Sequence, residues 1–554
     1  MSQPFEIGLV MAGAVSAGAY TAGVLDFLLQ ALDAWQKAKD QPNSRAPRHE
    51  VRLKVLAGTS AGGMTAAILA SALGSDFPPV TDPKKVDPSN KLFHSWVELI
   101  DIDQLLEAND LRDPAQPLRS LLDASVLEKI AAYALTPGVP SRRRPYLAEP
   151  LHLILTTCNL RGVPYNIPFS GEQPRSGHEM SAHADWLHFC LGGSSDACPK
   201  GAFYLDWNQQ SRNWALLKDA ALATGAFPLG LAPRRLKYRR DVYEGRKWMV
   251  PQDAKSIPQG CEVLFQSQEI KPAWPKDIPH GRDYECLCVD GGVMNNEPFD
   301  LAHRIMIGND CSNPRSADAA RRALILVDPF PGPDAGLADL MPAGEAEDDI
   351  VKVFMALIAA MKHQARFKPE ELKLAASPDV YSRFLIAPSR DGERFPIASG
   401  SLGGFGGFLS RGFRVHDFML GRRNCWSFLK NHFLLAETNP LFKSPAWTKE
   451  QIDEYRKPVN GADYLPVIPL MGNAAPEPPL PEWPSFTHEE LDELASRIGR
   501  RYDAVMKRLG QRLSRAWSVN RLAFRLISCK TRKDFVRWVK KCVERELTQF
   551  GLMS

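Results

Sequence analysis

The sequence predicts a protein of the α/β class with a helical extension at its C-terminal end. Two stretches, "FEIGLVMAG" and "LKVLAG", each read as a buried strand that leads through a turn of small residues into a helix. Two later runs, "LHLILTTCNL" and "RALILVDPFP", have the continuous apolar character of further buried strands. Strands that alternate with helices indicate a central sheet covered by helices.

Length and composition limit the class of protein further. The 554 residues exceed one ordinary core, and 44% hydrophobic with 24% charged residues is typical of a folded chain. Ten cysteines are scattered without a CxxC pair or a zinc-type spacing, so we expect reduced, intracellular thiols. The N-terminal apolar run follows no basic region, which predicts that there is no signal peptide and that the protein is cytoplasmic.

Two uncharged stretches, residues 7–25 and 55–75, are about long enough to cross a bilayer. Both are rich in Gly, Ala, Ser and Thr, which transfer into lipid less favourably than Leu, Ile or Phe. We therefore predict that each is a buried strand, turn and helix.

The first candidate site is the turn Gly58-Thr59-Ser60-Ala61-Gly62. A serine between a strand and a helix, with small neighbours, fits a nucleophile elbow, in which the sharp turn exposes the hydroxyl. The helix N-terminus directs free N–H groups towards an anion formed beside that hydroxyl. The alternative is a glycine-rich turn without catalysis, or a cradle for phosphate.

The second candidate is the loop "MAGAVSAG", which follows the first strand. The glycines at 13, 18 and 23 do not fit the GxGxxG spacing of dinucleotide-binding proteins, and no P-loop lysine is present. We interpret the backbone N–H groups near Gly13, Ala14 and Val15 as an oxyanion hole for the carbonyl oxygen that Ser60 would attack.

The third candidate supplies the base that a serine hydroxyl needs. Asp290 ends a probable strand and precedes Gly291-Gly292, a position where α/β enzymes place catalytic carboxylates. The rival is a Ser-Asp-His triad with His416 or His432, which the order along the chain allows. Both histidines stand in charged, helical surroundings, where a structural or solvated imidazole is more common.

Together these motifs resemble the patatin-like phospholipase family. The matching segments are the glycine-rich loop, the elbow at Ser60, the run "ALATGAFPLGLAP" and Asp290-Gly291-Gly292, in the family's order. The resemblance implies a three-layer α/β/α fold with a mostly parallel central sheet. It also implies a dyad without histidine, with Ser60 as the nucleophile and Asp290 as the base, that hydrolyses acyl esters of phospholipids or other lipids without a metal or cofactor.

The chain departs from the family pattern in the loop. The family has three consecutive glycines followed shortly by Arg or Lys, whereas this chain reads Gly13-Ala14-Val15-Ser16-Ala17-Gly18. A positive φ at Ala14 or Val15 would carry strain, and the missing cation removes an obvious phosphate contact. The backbone N–H donors survive the change.

The resemblance and the composition divide the chain into four regions. Residues 1–335 form the predicted catalytic domain with helical and loop insertions, and 336–456 a helical extension packed on it. This extension contains an amphipathic helix over 348–367 and a Gly/Phe stretch, which is either a lid over the site or a packed loop. Residues 457–484 contain eight prolines and predict an extended linker, and 485–554 a basic amphipathic helical tail.

The tail carries a large excess of positive charge. Residues 497–554 hold 16 Lys/Arg and 4 Asp/Glu, a net charge of +12, so that the rest of a chain of net charge +4 carries −8. The tail is either a hairpin packed on the acidic main domain or a peripheral contact with anionic membrane. No nucleic-acid-binding motif is present, and we expect no nucleic-acid partner.

The sequence therefore predicts a serine acyl hydrolase of the lipase or phospholipase A type, acting on a phospholipid or another lipid acyl ester. Two alternatives stay open at this point. One is a weakly active or inactive lipid-binding or scaffold protein on the same fold, and the other is a histidine-based esterase of soluble esters.

Overall fold

The computed structural model describes most of the chain and is built around a central sheet. The described residues are 3–113, 115–138, 141–168, 177–207, 211–251, 265–275, 278, 281–308, 313–331, 360, 364–366, 369–459, 461–516 and 521–554. The central sheet comprises β1 Phe5–Met11, β2 Val51–Gly58, β3 Leu147–Pro168, β4 Gly177–Leu191, β5 Phe203–Leu205, β6 Arg234–Arg239, β9 Asp283–Asp290, β10 Arg322–Val327 and β11 Arg383–Ile386.

Smaller elements and helices surround this sheet. The remaining strands are β7 Lys247–Pro251 and β8 Phe265–Glu269, which form a hairpin, and β12 Leu434–Ala436, β13 Lys457–Val459 and β14 Ala462–Pro466, which form a small sheet. The described α-helices are α1 Gly18–Lys39, α2 Ala61–Ala72, α3 Lys91–Phe93, α4 Ile102–Leu105, α5 Ser125–Ala134, α6 Arg212–Thr224, α7 Phe299–Ile307, α8 Pro369–Ala375, α9 Arg411–Asn431, α10 Lys449–Tyr455, α11 His488–Ala516 and α12 Arg521–Gln549.

The strand order confirms the predicted fold class. The path is β11-β10-β1-β2-β3-β4-β5, and β9 pairs with both β3 and β6. The pairs from β11 to β3 are parallel, whereas β4 and β9 run antiparallel to β3. The centre of the sheet is therefore parallel, and its carboxyl-terminal edge gathers the loops after β1, β2 and β10.

Helices cover both faces of the sheet because successive side chains of each strand point to opposite faces. In β1, Leu9 and Met11 belong to a large apolar cluster with α1 and α2, whereas Val10 belongs to a second cluster with Phe299 of α7. The near-continuous burial of β1, β2 and β10 follows from this double cover. These layers give the three-layer α/β/α arrangement.

Helix α1 fills the centre of one helical layer, where it packs against α9. Within the described residues, the helical stretch Val15–Lys39 is long and apolar enough to cross a membrane, and 94% of its most apolar part is buried inside the protein. The second uncharged stretch of the sequence forms β2 and α2, which the sequence predicts as a strand, turn and helix.

The central sheet extends beyond the predicted boundary at residue 335. Strand β11 pairs in parallel with β10, so that residues well inside the predicted helical extension complete one edge of the sheet. The amphipathic helix predicted over 348–367 lies outside the described residues except for 360 and 364–366.

The stretch 457–484 differs from the extended linker that its prolines predict. Strands β13 and β14 lie within it and pair with each other, and β14 also pairs with β12. Further along, the carbonyl groups of Asn473 and Ala475 accept hydrogen bonds from Gln30 and Trp426. Side chains of the main domain thus hold the segment in place through hydrogen bonds to its backbone carbonyl groups.

The basic tail forms a helical hairpin of α11 and α12 that packs on the main domain. Its buried side includes Leu491, Leu547 and Phe550, which join Phe413 of α9 in an apolar cluster. Arg501 is buried and forms an ion pair of 2.5 Å with Asp110. This packing corresponds to the hairpin interpretation of the tail, and one side of α12 stays exposed.

Candidate active site

Ser60 stands at a strained turn between β2 and α2. Its backbone has φ 53° and ψ −127°, in the left-handed region that costs a non-glycine residue roughly 1–3 kcal/mol. A Cβ at Gly58 would lie 2.6 Å from the carbonyl oxygen of Gly62, and a Cβ at Gly62 would overlap the carbonyl oxygen of Met11. The predicted elbow glycines, Gly58 and Gly62, are therefore required, because neighbouring backbone atoms lie too close for a side chain at either position.

The structure brings Ser60 and Asp290 together. The Ser60 Oγ donates a hydrogen bond of 2.6 Å to Asp290 Oδ2, although the two residues are 230 positions apart. Both side chains are buried, with relative exposures of 8% and 5%. Asp290 Oδ1 accepts a bond of 2.7 Å from the amide of Gly292, which fixes the carboxylate so that its other oxygen faces the hydroxyl.

The charge of the Asp290 carboxylate also affects a neighbouring thiol. Burial, with the charge of Asp290 as a second cause, raises the pKa of Cys158 to about 11. Cys158 therefore stays a neutral thiol at physiological pH and does not compete as a nucleophile.

The glycine-rich loop lies directly beside the serine. A Cβ at Gly13 would lie 3.1 Å from the Cβ of Ser60, and it would overlap the side-chain oxygen of Asn296. A positive φ was predicted to carry strain at Ala14 or Val15. The structure places it at Val15, which has a φ of 49°, whereas Ala14 has a φ of −145°. The absence of a side chain at Gly13 therefore lets the loop lie close to Ser60, and the backbone of Val15 makes the turn at a positive φ.

The three predicted oxyanion-hole donors are not equivalent. The amide of Gly13 donates a long bond of 3.4 Å to the carbonyl oxygen of Asn296. Across the part of the chain that the structure describes, the amides of Ala14 and Val15 have no hydrogen-bond acceptor. These two amides are the donors of the loop that a developing oxyanion could use.

Two supporting residues escaped the sequence reasoning. Thr224 Oγ1 accepts a bond of 2.9 Å from the amide of Ser60, and Thr224 lies in the "ALATGAFP" run without an assigned role. Asn296 contacts both the loop and the turn after Asp290. The sequence feature that could have indicated Asn296 is its position in "DGGVMNNEP", six residues after Asp290.

The two histidines of the rival triad have different surroundings. The His416 Nδ1 bonds Asp417 Oδ1 at 2.8 Å, and its Nε2 lies 3.0 Å from the Arg390 guanidinium, so both ring nitrogens have partners. His432 is exposed at the C-terminal end of α9. The hydroxyl of Ser60 instead meets the carboxylate of Asp290.

The Gly/Phe stretch packs on the glycine-rich loop. Ser16 Oγ donates to the carbonyl oxygen of Gly404 and accepts a bond of 2.9 Å from the amide of Gly407. The ring of Phe405 lies 5.8 Å from that of Phe227, next to Ala226, whose carbonyl accepts the amide of Asp290. The stretch is a packed loop that borders the site.

A strained serine between a strand and a helix, hydrogen bonded to a buried carboxylate on a three-layer α/β/α fold, has the geometry of a nucleophile elbow. The sequence profile of the patatin-like phospholipase family matches residues 9–195. The chain is also 36% identical to the uncharacterized protein y4iI of Sinorhizobium fredii over 91% of this chain and 76% of that protein. The chain belongs to the patatin-like phospholipase family, a family of lipid acyl hydrolases.

A comparison with solved structures gives a weaker likeness. The crystal structure of VipD from Legionella pneumophila is 12% identical, with coverage of 96% of this chain and 88% of that chain and a TM-score of 0.21.

Proposed function

We propose that this protein is a serine hydrolase that cleaves acyl esters of lipids through Ser60 and Asp290. The observation that carries the proposal is the 2.6 Å hydrogen bond from the Ser60 hydroxyl to the Asp290 carboxylate at a strained elbow. The nearby carboxylate is the base that a serine hydroxyl needs to become a nucleophile.

In the first half of the reaction, Asp290 Oδ2 takes the proton as Ser60 Oγ attacks the ester carbonyl. The negative charge then develops on the carbonyl oxygen, and the amides of Ala14 and Val15 stabilise it. One such donor typically contributes about 2.7–4 kcal/mol to transition-state stabilisation. Protonation of the departing alcohol by Asp290 leaves an acyl-enzyme on Ser60.

In the second half, Asp290 accepts a proton from water, and the water oxygen attacks the acyl carbon. The same amides stabilise the second oxyanion, and its collapse returns the proton to Ser60 and releases the fatty acid. The chemistry uses this chain's own residues and requires no cofactor.

The dyad is tested by release of fatty acid from mixed phospholipid vesicles and of acid from a short-chain soluble ester. We expect Ser60→Ala and Asp290→Asn each to lower kcat by about a thousandfold or more on both substrates, since each removes a partner of one proton transfer. Turnover of the soluble ester alone would contradict a lipid substrate, and full activity of Asp290→Asn would contradict the dyad.

The rival triad is tested by the two histidines. We expect His432→Ala to keep the activity of the unmodified protein. His416→Gln, which retains hydrogen-bonding groups in the buried position, should also keep kcat per folded molecule, with folding checked by circular dichroism. A large loss of kcat in either folded variant would replace the dyad by a triad. If the unmodified protein binds vesicles but cleaves neither substrate, the binding-protein alternative is favoured.

The exposed side of α12 offers a surface for a peripheral membrane contact. Trp538 and Phe535 have relative exposures of 59% and 38%, and their ring centroids lie 6.3 Å apart. The exposed Lys533 and Lys541 lie on the same helix. We propose that this aromatic and basic surface docks on anionic lipid, since such helices bind through apolar burial together with charge attraction.

Vesicle sedimentation tests this contact. Trp538→Ser should weaken binding to anionic phosphatidylglycerol vesicles by about tenfold, because it removes the larger apolar contact. The matched control is Leu160→Ser, which changes a residue of 50% exposure on β3. Equal binding by both variants, or equal binding to phosphatidylcholine vesicles, would contradict the proposed surface.

A further inference from the structure

Three metal-ligating side chains converge on one face of the sheet, away from the dyad. His152 of β3 lies directly opposite Cys190 of β4 in the antiparallel pair, and His188 precedes Cys190 by two residues on the same strand. Because side chains alternate along a strand, His188 and Cys190 point to the same face as their partner. The pairing register of β3 and β4 thus places two imidazoles and a thiol close together.

The donor atoms of the three side chains point at one another. His152 Nδ1 lies 3.0 Å from His188 Nε2, and Cys190 Sγ lies 3.5 Å from the first nitrogen and 3.9 Å from the second. All three ligand atoms lie within 4.8 Å of one another.

These separations match the edges of a zinc tetrahedron. With Zn–N of about 2.05 Å and Zn–S of about 2.3 Å, tetrahedral angles place two nitrogens about 3.3 Å apart and nitrogen and sulfur about 3.6 Å apart. The three distances in the structure differ from these values by about 0.3 Å or less, so small side-chain movements would complete the geometry.

A second thiol lies beside this cluster. After β4 the chain turns through Gly192 and Gly193, at φ 74° and 68°, and returns with Cys198, which lies near Cys190. Cys198 is half-buried, in a short 3-10 turn over Ser195–Ala197 and its cap. The ligand atoms that lie within 4.8 Å of one another do not include its sulfur, so ligation by Cys198 would draw this turn onto the sheet.

We propose that His152, His188 and Cys190 bind a zinc ion, with Cys198 as the fourth ligand. Imidazole and thiolate donors favour Zn²⁺ over Mg²⁺ and Ca²⁺, which prefer oxygen. Binding releases the proton of each coordinating thiol, so Zn²⁺ and two thiols give the bis-thiolate complex and two protons.

The ligand spacing explains why the sequence does not reveal this site. Two ligands come from one strand and one from its neighbour, 36 positions earlier, so a search for paired CxxC motifs passes over them. The ion would tie the turn after β4 to the sheet and would not take part in the chemistry at Ser60. The proposal is therefore independent of the proposed function.

The test uses the full-length protein, expressed without a histidine tag, reduced, stripped with a chelator and titrated with Co²⁺ and then with Zn²⁺. We expect a thiolate-to-cobalt charge-transfer band that saturates at about one cobalt per chain and disappears when zinc displaces it. Elemental analysis of the untreated protein should give about one zinc per chain.

Cys190→Ser and His188→Gln should each abolish the band, and the matched control Cys542→Ser, on α12, should keep it. Circular dichroism before titration confirms that each variant is folded. If a variant does not fold, Cys198→Ser, which changes the half-buried turn, serves in its place. The proposal is overturned if the unmodified protein shows no saturable band, if the folded ligand variants keep it, or if mass spectrometry finds Cys190 and Cys198 joined as a disulfide in the protein as purified.

Discussion

At the scale of single residues, the site depends on how the strained backbone of Ser60 is held. Its amide donates a hydrogen bond of 2.9 Å to Thr224 Oγ1. The carboxylate of Asp290 is fixed in the same way, by the amide of Gly292. Two hydrogen bonds thus position the two groups of the proposed proton transfer.

Thr224→Val tests the first of these bonds. We expect a loss of about 1–3 kcal/mol in the free energy of unfolding, because the buried Ser60 amide loses its acceptor. We also expect a lower kcat at unchanged KM, because the nucleophile is less well positioned. Chemical denaturation and steady-state kinetics measure the two effects.

The control for this variant is Thr65→Val in α2. The Thr65 hydroxyl donates a hydrogen bond to the carbonyl oxygen of Ala61 in the same helix. The substitution removes this bond and leaves Ala61 in its helix. Thr65→Val should therefore cost less stability and leave kcat unaffected. Equal effects of the two variants on kcat would mean that Thr224 does not position Ser60.

The sequence was sufficient to predict Ser60 and Asp290 as neighbours, because each is embedded in a local motif. It was not sufficient for Thr224 or Asn296. Their contacts join segments more than 160 positions apart, and the residue types have many structural uses. The difference between the amide of Gly13, which has an acceptor, and those of Ala14 and Val15 was also hidden, because it depends on which atoms lie opposite each amide.

At the scale of elements, the elbow requires that α2 approach the end of β1 at backbone distance. Gly62→Ala should destabilise the protein by about 1–3 kcal/mol and lower activity, because the new methyl group overlaps the carbonyl oxygen of Met11. Thermal unfolding and ester hydrolysis measure these effects.

Gly412→Ala in α9 is the matched control, since the nearest atom to its new methyl group is the Ser410 Oγ at 3.4 Å. We expect it to leave activity unchanged and to stabilise the helix by about 0.5–1 kcal/mol. A neutral Gly62→Ala would mean that the elbow does not need close backbone contact.

The strongly apolar strands were predictable as elements, because β1, β2 and β10 are buried on both faces. The pairing of β4 and the small sheet of β12 to β14 were not. Strand β4 has an irregular pattern of burial, and β14 ends in a proline within a proline-rich run that predicts a linker. In both cases tertiary contacts outweigh the local composition.

At the scale of the whole molecule, His49 joins the N-terminal part of the chain to residues more than 390 positions later. The ring lies between the indoles of Trp35 and Trp447, and its nitrogens bond the carbonyl oxygen of Val467 and the Trp447 Nε1. Burial lowers the pKa of His49 to about 3. The folded state therefore holds this ring neutral over most of the acid range.

This burial predicts a loss of stability in mild acid. Below about pH 6.5 the unfolded chain takes up a proton at His49 and the folded chain does not, so stability falls as the pH falls until about pH 3. Between pH 7.5 and 5.5 the contribution of His49 is a loss of about 1.4 kcal/mol.

Urea denaturation at both pH values measures the loss. His49→Gln should reduce the difference by about that amount, since the amide keeps a donor and an acceptor but does not titrate. His432→Gln, at an exposed helix end, should keep the difference of the unmodified protein. An unchanged difference in His49→Gln would contradict the assignment.

The central position of β1 has a consequence for how the chain is made. One edge of β1 pairs with β2 soon after synthesis, but its other edge waits for β10, about 310 residues later. At about 5–20 residues per second, a ribosome needs about 15–60 seconds to supply that partner. During this interval an apolar strand edge stays open to pairing with other chains, so nascent chains of this protein should depend on chaperones at that stage.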